Sequence, residues 1–203
     1  MEILVLFDSK TGNTYALAKA VAEGIEQVEG LRARMRRVKE TTPMEIVLAD
    51  PKRSEFYNFI TKEVPEATLE DLEETEGLAM GSPTRYGNMT PSLGNFIEST
   101  GPLWVSGALV GQPAGVFCST NTMHGGNEAT LLTMMLPLMH LGFIIVPMGY
   151  FDPGVMNTRS GGTPYGPSSV VSQHEGKGPD DVELSIARAF GTRLAETTKK
   201  LRP

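Results

Sequence analysis

The chain is constrained most by a recurring pattern: a short apolar run, then a polar segment containing glycine, then a helical stretch. Its first instance is Ile3-Leu4-Val5-Leu6-Phe7, closed by Asp8-Ser9-Lys10-Thr11-Gly12-Asn13-Thr14 and followed by Leu17, Val21, Ile25 and Val28 at three- and four-residue intervals. Five apolar residues between polar ones suit a strand buried on both faces, and the spacing behind them suits a helix. Gly77-Leu78-Ala79-Met80 repeats the run and leads into Gly81-Ser82-Pro83-Thr84-Arg85-Tyr86-Gly87-Asn88-Met89. Thr90-Pro91 then opens a helix, with threonine as N-cap and proline at the first helical position, where no hydrogen bond is lost. Ala114 to Cys118 forms a further strand, followed by the loop Ser119 to Gly126, a helix from Glu128 to about Leu141 and a strand from Phe143 to Val146. A last helix runs from about Asp180 to Leu201, with Val182, Ile186, Phe190, Leu194 and Leu201 on its apolar face. Between the first two apolar runs, Leu31 to Val38 alternates: Leu31, Ala33 and Met35 on one side, Arg32, Arg34 and Arg36 on the other. That pattern predicts a strand with one solvated face, whose arginines discourage edge-to-edge association. Strands alternating with helices give an α/β domain with a mainly parallel sheet. Ligands of such sheets collect at the carboxyl ends of the strands, where three of the polar, glycine-containing loops fall.

The composition narrows the function classes. A length of 203 residues suits a single domain, with decorations expected at about 44–68 and 149–179, the second rich in glycine and proline. A net charge of −6 argues against a nucleic-acid binder, whose footprint is a basic face. The single cysteine, Cys118, cannot form an intramolecular bridge, which fits a reducing cytoplasm, and the first residues carry no basic stretch or cleavage site of a secretory signal. Leu131 to Phe151 approaches membrane-spanning length, yet Pro137, His140, Gly142 and Pro147 interrupt it. It reads as a buried helix, disturbed or ended near Pro137, followed by a buried strand.

The loop Ser9 to Thr14 offers hydroxyls at Ser9, Thr11 and Thr14, an amide at Asn13 and a run of N–H groups at a helix N-terminus, a donor set suited to phosphate. It is not a nucleoside-triphosphate loop, because no lysine follows Gly12, and it is not a dinucleotide fingerprint, because Gly12 stands alone. A phosphoacceptor receiver would need clustered acids after the first strand and an aspartate after the third; Asp8 is single and Met80-Gly81-Ser82 has no carboxylate. His124 and His174 lack metal-ligand spacing, and no metal motif or Gly-x-Ser-x-Gly nucleophile is present in the sequence. On the residues alone, Arg85 also reads as a surface ion-pair partner, Tyr86 as a core aromatic, His140 as a satisfied core histidine and Cys118 as a small buried hydrophobe; Trp104 could be a core aromatic, but as the sole tryptophan in a polar setting between Gly101-Pro102 and Ser106-Gly107 it reads better as a cleft wall. The methionines read as core filler, and the arginines at 32, 34, 36 and 37 as a solvated edge.

Several blocks of the chain resemble a known family. Ser9-Lys10-Thr11-Gly12-Asn13-Thr14 resembles the phosphate loop of flavodoxin-like proteins. The segment Gly81 to Met89, Leu103-Trp104, Gly125-Gly126-Asn127-Glu128 and Gly161-Gly162-Thr163-Pro164-Tyr165-Gly166 are similar to the tryptophan-repressor-binding-protein (WrbA) family of type IV NAD(P)H:quinone oxidoreductases. The resemblance extends over nearly the whole chain. It implies a flavodoxin-like, three-layer, doubly wound fold with a five-stranded parallel sheet in the order 2-1-3-4-5, helices on both faces, and non-covalent FMN. It implies that Ser9, Lys10, Thr11, Gly12, Asn13 and Thr14 hold the FMN phosphate, that Pro83, Thr84, Arg85 and Tyr86 border the isoalloxazine, and that Ser119, Thr120, Asn121, Gly125 and Gly126 line its flank and ribityl side. It further implies that His140 reaches the flavin, that Trp104 walls the substrate slot, that Thr11 stands toward the reductant in place of a tyrosine, and that a homotetramer completes each site. The implied reaction is ping-pong, two-electron reduction of a quinone by NAD(P)H through flavin N5, with no metal. A flavodoxin-type electron carrier and a non-catalytic regulatory binding protein are the alternatives.

Overall fold

The computed structural model describes residues 1–171 and 178–201, so His174 lies outside the described residues. Among the described residues, six parallel strands build the sheet: β1 (Glu2–Phe7), β2 (Arg32–Arg37), β3 (Gly77–Pro83), β4 (Pro113–Thr120), β5 (Ile144–Ile145) and β6 (Ser168–Val170), in the order β2-β1-β3-β4-β5 with β6 also on β4. The predicted five-strand order is observed, and β6 adds to it as a short strand off that path. The outer edge of β4 is shared: β5 pairs with Pro113 and Ala114, while β6 pairs with Cys118 to Thr120. β5 is shorter than the expected Phe143 to Val146. Val146 N–H still donates to Ala114 O (2.7 Å), and Pro147, which has no N–H to give, ends the ladder. The 149–179 segment, expected to be loop, supplies both β6 and the short helix α8 (Pro153–Asn157).

Two apolar cores flank the sheet, and β1 shows why its sequence is apolar throughout. Ile3, Val5 and Phe7 face α1 (Asn13–Glu26) and α9 (Asp181–Leu201), packing against Leu17, Val21, Ile186 and Phe190. Leu4 and Leu6 face the opposite layer, where Leu72, Leu93, Leu103, Leu131 and Met134 come from α4 (Leu69–Glu74), α5 (Pro91–Glu98), α6 (Gly101–Ser106) and α7 (Asn127–His140). On the first face, α1 and α9 approach backbone to backbone. A Cβ on Gly24 would lie 1.9 Å from Arg188 O, and one on Gly191 2.1 Å from Val21 O.

Other expectations are corrected. α7 runs through Pro137 to His140, with Leu141 N–H donating to Pro137 O at 3.0 Å, and it is buried on one side only: Leu132, Leu136 and Met139 are exposed. On α9, Ile186, Phe190 and Leu194 are buried, but Val182 and Leu201 at its ends are exposed. The arginines of β2 do not form a bare solvated edge. Arg34 pairs with Glu2, Asp71 and Glu74, Arg36 with Asp71, and Arg37 with Glu66. Burial raises the Asp71 carboxyl, but its bonds to Arg36 and to the Thr68 backbone outweigh that and hold it below its ordinary range. The backbone at 65–67 covers the end of the same edge, with Arg37 N–H donating to Pro65 O (3.1 Å) and Ala67 N–H to Arg37 O (2.9 Å). Among the described residues no helix is long and apolar enough to cross a membrane.

The 44–68 segment contains α2 (Met44–Ala49) and α3 (Pro51–Glu63). Asp50 starts α3 by accepting from the N–H groups of Lys52 and Arg53, and Pro51 occupies the first turn, where its missing donor costs nothing. Ile60 buries this helix against the α1 face of the sheet.

Candidate functional site

The carboxyl ends of β1, β3 and β4 floor a cleft of about 300 Å³ that gathers Ser9, Thr11, Asn13, Thr14, Pro83, Thr84, Arg85, Ser119, Thr120 and Asn121. The first wall is the turn into α1. Gly12 takes φ +101°, a conformation open to glycine, and so carries the chain from β1 into the helix. Ser9 Oγ accepts from Gly12 N–H (3.2 Å) and Tyr15 N–H (3.3 Å), and Thr14 Oγ bonds Ser119 Oγ (2.8 Å), tying the helix start to β4. Among the described residues, the N–H groups of Thr11, Asn13 and Thr14 find no protein acceptor. These free donors stand at the positive end of a fourteen-residue helix, beside three hydroxyls, which fits a phosphate monoester.

Lys10 borders the cleft but does not bring its charge there. Its ammonium is held by Asp8 Oδ2 (2.9 Å), Glu40 Oε2 (2.8 Å) and Ser92 Oγ (3.2 Å), and its side chain is only 10% exposed. With two carboxylates within ion-pair distance the ammonium is already satisfied, so it braces the loop from beneath and leaves only the Lys10 backbone to face the cleft. Asp8 in turn accepts from Thr90 Oγ (2.5 Å), the N-cap of α5. Burial raises the Glu40 carboxyl, but its bonds to Lys10 and to the Thr42 N–H prevail and lower it to about 2. Arg53 of α3, which sequence reasoning did not single out, lines the cleft and lies 3.5 Å from Glu40.

The second wall is a tight reversal after β3. Arg85 and Asn88 exchange backbone bonds (2.7 and 3.0 Å), and the two residues between them both have positive φ: Tyr86 at 54° and Gly87 at 79°. This is the primed two-residue turn of hairpins, rare for tyrosine, and it presents the Tyr86 ring fully to solvent at the cleft rim. Arg85 is also exposed, its guanidinium donating to Thr84 O (2.7 Å).

The third wall is the loop after β4. Thr120 Oγ bonds Thr122 O (3.0 Å) and Asn127 Oδ1 (3.1 Å), and Gly126 at φ +91° starts α7. The two loops touch: a Cβ on Gly126 would be 3.3 Å from Gly87 Cα. Thr130 Oγ bonds Thr84 Oγ (2.8 Å), and Thr133 Oγ donates to Gly87 O (2.9 Å). Both threonines escaped sequence reasoning because, on a helix, they carry no motif of their own.

Trp104 and His140 are brought together with each other and not with the cleft. Both line a separate cavity of about 510 Å³ with Thr100 and Pro137. His140 closes α7 while Gly126 opens it, so some 20 Å of helix separates this histidine from the loop. His140 is exposed, which excludes a satisfied core histidine, and Trp104 is 62% exposed, which excludes a core aromatic. Cys118 is wholly buried, burial pushes its thiol far up, and it is no nucleophile here. Among the described residues, no three His, Cys, Asp or Glu side chains gather as metal ligands.

A parallel sheet in this order, with a phosphate-type helix start and two touching loops at its carboxyl edge, defines a flavodoxin-like nucleotide cleft. Residues 1–153 match the family of NADPH-dependent FMN reductases, and the chain belongs to it. It is 40% identical over 204 residues to an NAD(P)H dehydrogenase (quinone) of Solidesulfovibrio magneticus, covering 100% of both chains. It is 41% identical over 201 residues to one of Acidithiobacillus ferrooxidans, covering 98% of both. Among solved structures, a flavodoxin, WrbA-like protein of Agrobacterium tumefaciens superimposes with a TM-score of 0.69 at 20% identity, covering 99% of both chains.

Proposed function

We propose that this protein is an FMN-dependent NAD(P)H:quinone oxidoreductase of the WrbA type, acting in the cytoplasm as a single flavodoxin-like domain with decorations at about 44–68 and 149–179. The observation that carries the reading is the set of N–H groups at Thr11, Asn13 and Thr14 without an acceptor among the described residues, framed by the hydroxyls of Ser9 and Thr14. They match the phosphate end of FMN in a chain of the FMN reductase family. When bound there, FMN would supply the hydride-transfer chemistry that links NAD(P)H to a quinone.

The chain's own residues bind, orient and shield. Thr11, Asn13 and Thr14 donate to phosphate oxygens, while Ser119 and Thr120 line the polyol side. Thr84 and the turn at Tyr86-Gly87 border the ring slot opposite Asn121 to Gly126, and the Thr84–Thr130 bond fixes its width before any ring enters. Arg85, exposed at the rim, is free to offset negative charge developing near the ring. Trp104 and His140 cannot reach this slot from their own chain. They sit beside an apolar surface that includes Leu136 (54% exposed) and Met139 (51% exposed), and we assign them to the slot of a neighbouring copy in a homotetramer.

The test is spectral and kinetic. The purified protein should take up one FMN per chain, be reduced directly by NAD(P)H in stopped flow, and give parallel double-reciprocal lines with a quinone. A protein that binds flavin but is not reduced directly would be an electron carrier. One that takes up no flavin would overturn the reading.

A further inference from the structure

The cleft is continuous with a second cavity of about 590 Å³, and α3 makes its outer wall. Thr11, Asn13 and Asn121 belong to both, so a ligand arm can pass from one into the other. Two aromatic rings of α3, Phe56 and Phe59, face this cavity, and Phe59 is 45% exposed. An exposed phenylalanine normally moves freely, but these rings are braced from behind. Tyr15 lies 6.0 Å from Phe56 and 5.9 Å from Phe59, and Phe7 backs Tyr15 at 5.7 Å. At the mouth stands Lys52, exposed, whose ammonium has no side-chain partner among the described residues although Glu55 lies one turn away. The helix itself is anchored through Arg53 to Glu40 and through buried Ile60.

Two braced aromatic rings, tilted 44° to each other, a cation without a side-chain partner among the described residues and an opening onto the phosphate cleft make a nucleotide subsite, with an aromatic face for a base and charge for a phosphate. We propose that the cavity under α3 holds the ADP half of the dinucleotide reductant, with adenine against Phe59 and Phe56 and a phosphate at Lys52. The proposal rests on the oxidoreductase reading, and it assigns a function to the 44–68 segment. The nicotinamide half extends past Thr11 into the flavin slot. Glu55, on the same wall, is placed to accept from a ribose hydroxyl.

Reduced nicotinamide mononucleotide lacks the ADP half and therefore separates the two cavities. Flavin reduction of the holoenzyme is measured with NADH and with the mononucleotide, in the native protein and in Lys52→Glu, Lys52→Gln and Phe59→Ala, alongside calorimetric titration with ADP. The native protein should favour NADH by at least about tenfold in kcat/KM, and Lys52→Glu and Phe59→Ala should each shrink that preference about fivefold. The mononucleotide rate, the quinone KM and flavin content should stay as in the native protein, Lys52→Gln should have a smaller effect in the same direction, and ADP binding should weaken in parallel. A preference near one in the native protein, or one untouched by the substitutions, overturns the proposal. So does loss of ADP binding with the preference intact, which marks a site for a separate nucleotide. Absence of reduction by either reductant overturns the functional reading itself, and the proposal with it.

Discussion

Replacing Lys10 by methionine tests whether this lysine is a phosphate ligand or a strut. In the structure its ammonium lies between Asp8 and Glu40, at 2.9 and 2.8 Å, with the three side chains 10%, 7% and 10% exposed. Removing the cation leaves two largely buried carboxylates facing one another, and breaking a buried pair in this way costs about 3–5 kcal/mol. Arg53, 3.5 Å from Glu40, and the Thr90 hydroxyl on Asp8 recover part of that. The expected loss is therefore about 2–4 kcal/mol, or roughly 10 °C in Tm for a chain of this size.

Urea denaturation of the apoprotein should show this loss at pH 8. The deficit should narrow toward pH 5. Two buried carboxylates that have lost their shared cation repel one another and favour taking up a proton in the folded state, so the variant folds with more protons bound than its unfolded chain and gains stability as pH falls. Flavin affinity, measured where the variant is folded, should fall less than threefold. Native-like stability of the apoprotein, combined with a hundredfold loss of FMN affinity that steepens at low salt, would refute the strut and return Lys10 to the phosphate.

Further outcomes follow from other parts of the molecule. Gly191→Ala forces a Cβ to within 2.1 Å of Val21 O, where two helix backbones must part, and should cost about 2–3 kcal/mol in urea midpoint without altering the flavin spectrum of the folded protein. The Glu40 carboxyl, lowered to about 2 in the fold, contributes stability that is complete above its ordinary value near 4.5 and lost as pH falls toward 2. At about 1.4 kcal/mol per unit this is about 3 kcal/mol, and Glu40→Gln should flatten the urea midpoint against pH between pH 5 and pH 3. Trp104→Ala should lower kcat/KM for quinone about tenfold with flavin affinity unchanged, and full activity would remove the tryptophan from the slot. Leu136→Asp places a charge on the exposed apolar stretch of α7 and should shift the mass measured by light scattering toward the monomer, and an unshifted mass would move the interface elsewhere.

How much of this was legible in the sequence depends on the range of the interactions involved. β1 was plain, because a strand covered on both faces admits only apolar residues, and Ile3 to Phe7 are all buried. The start of α5 was equally plain, because a Thr-Pro cap acts within four residues. β6 was not: Ser168-Ser169-Val170 has no strand pattern, and it pairs because β4 runs on from Ala114, where β5 leaves it, to Thr120, with a ladder at Cys118 to Thr120 to be completed. The arginines of β2 were misread for a related reason. Their partners, Asp71 and Glu74, lie some 35–40 residues on, in a helix whose placement the alternation of β2 does not encode.

The site divides along the same line. Thr14 could be placed at the cleft because a short side chain on the first helical turn has little choice of direction, and the N–H groups beside it that lack an acceptor among the described residues follow from helix geometry. A lysine has three more side-chain torsions than serine or threonine and goes where the field is most negative. Glu40, thirty residues away, sets that field at Lys10, so its place in the loop says little about its ammonium. Trp104 and His140 carry the argument furthest. They lie thirty-six residues apart in sequence yet share a cavity, on a face where the aromatic ring is left mostly in water. Within one chain that exposure is a cost with no return, since burying so large a ring is worth several kcal/mol. The cost is recovered if the face is covered in an assembly, and a residue whose partner is another copy of its own chain leaves no mark in the local pattern that reading along a single sequence could detect.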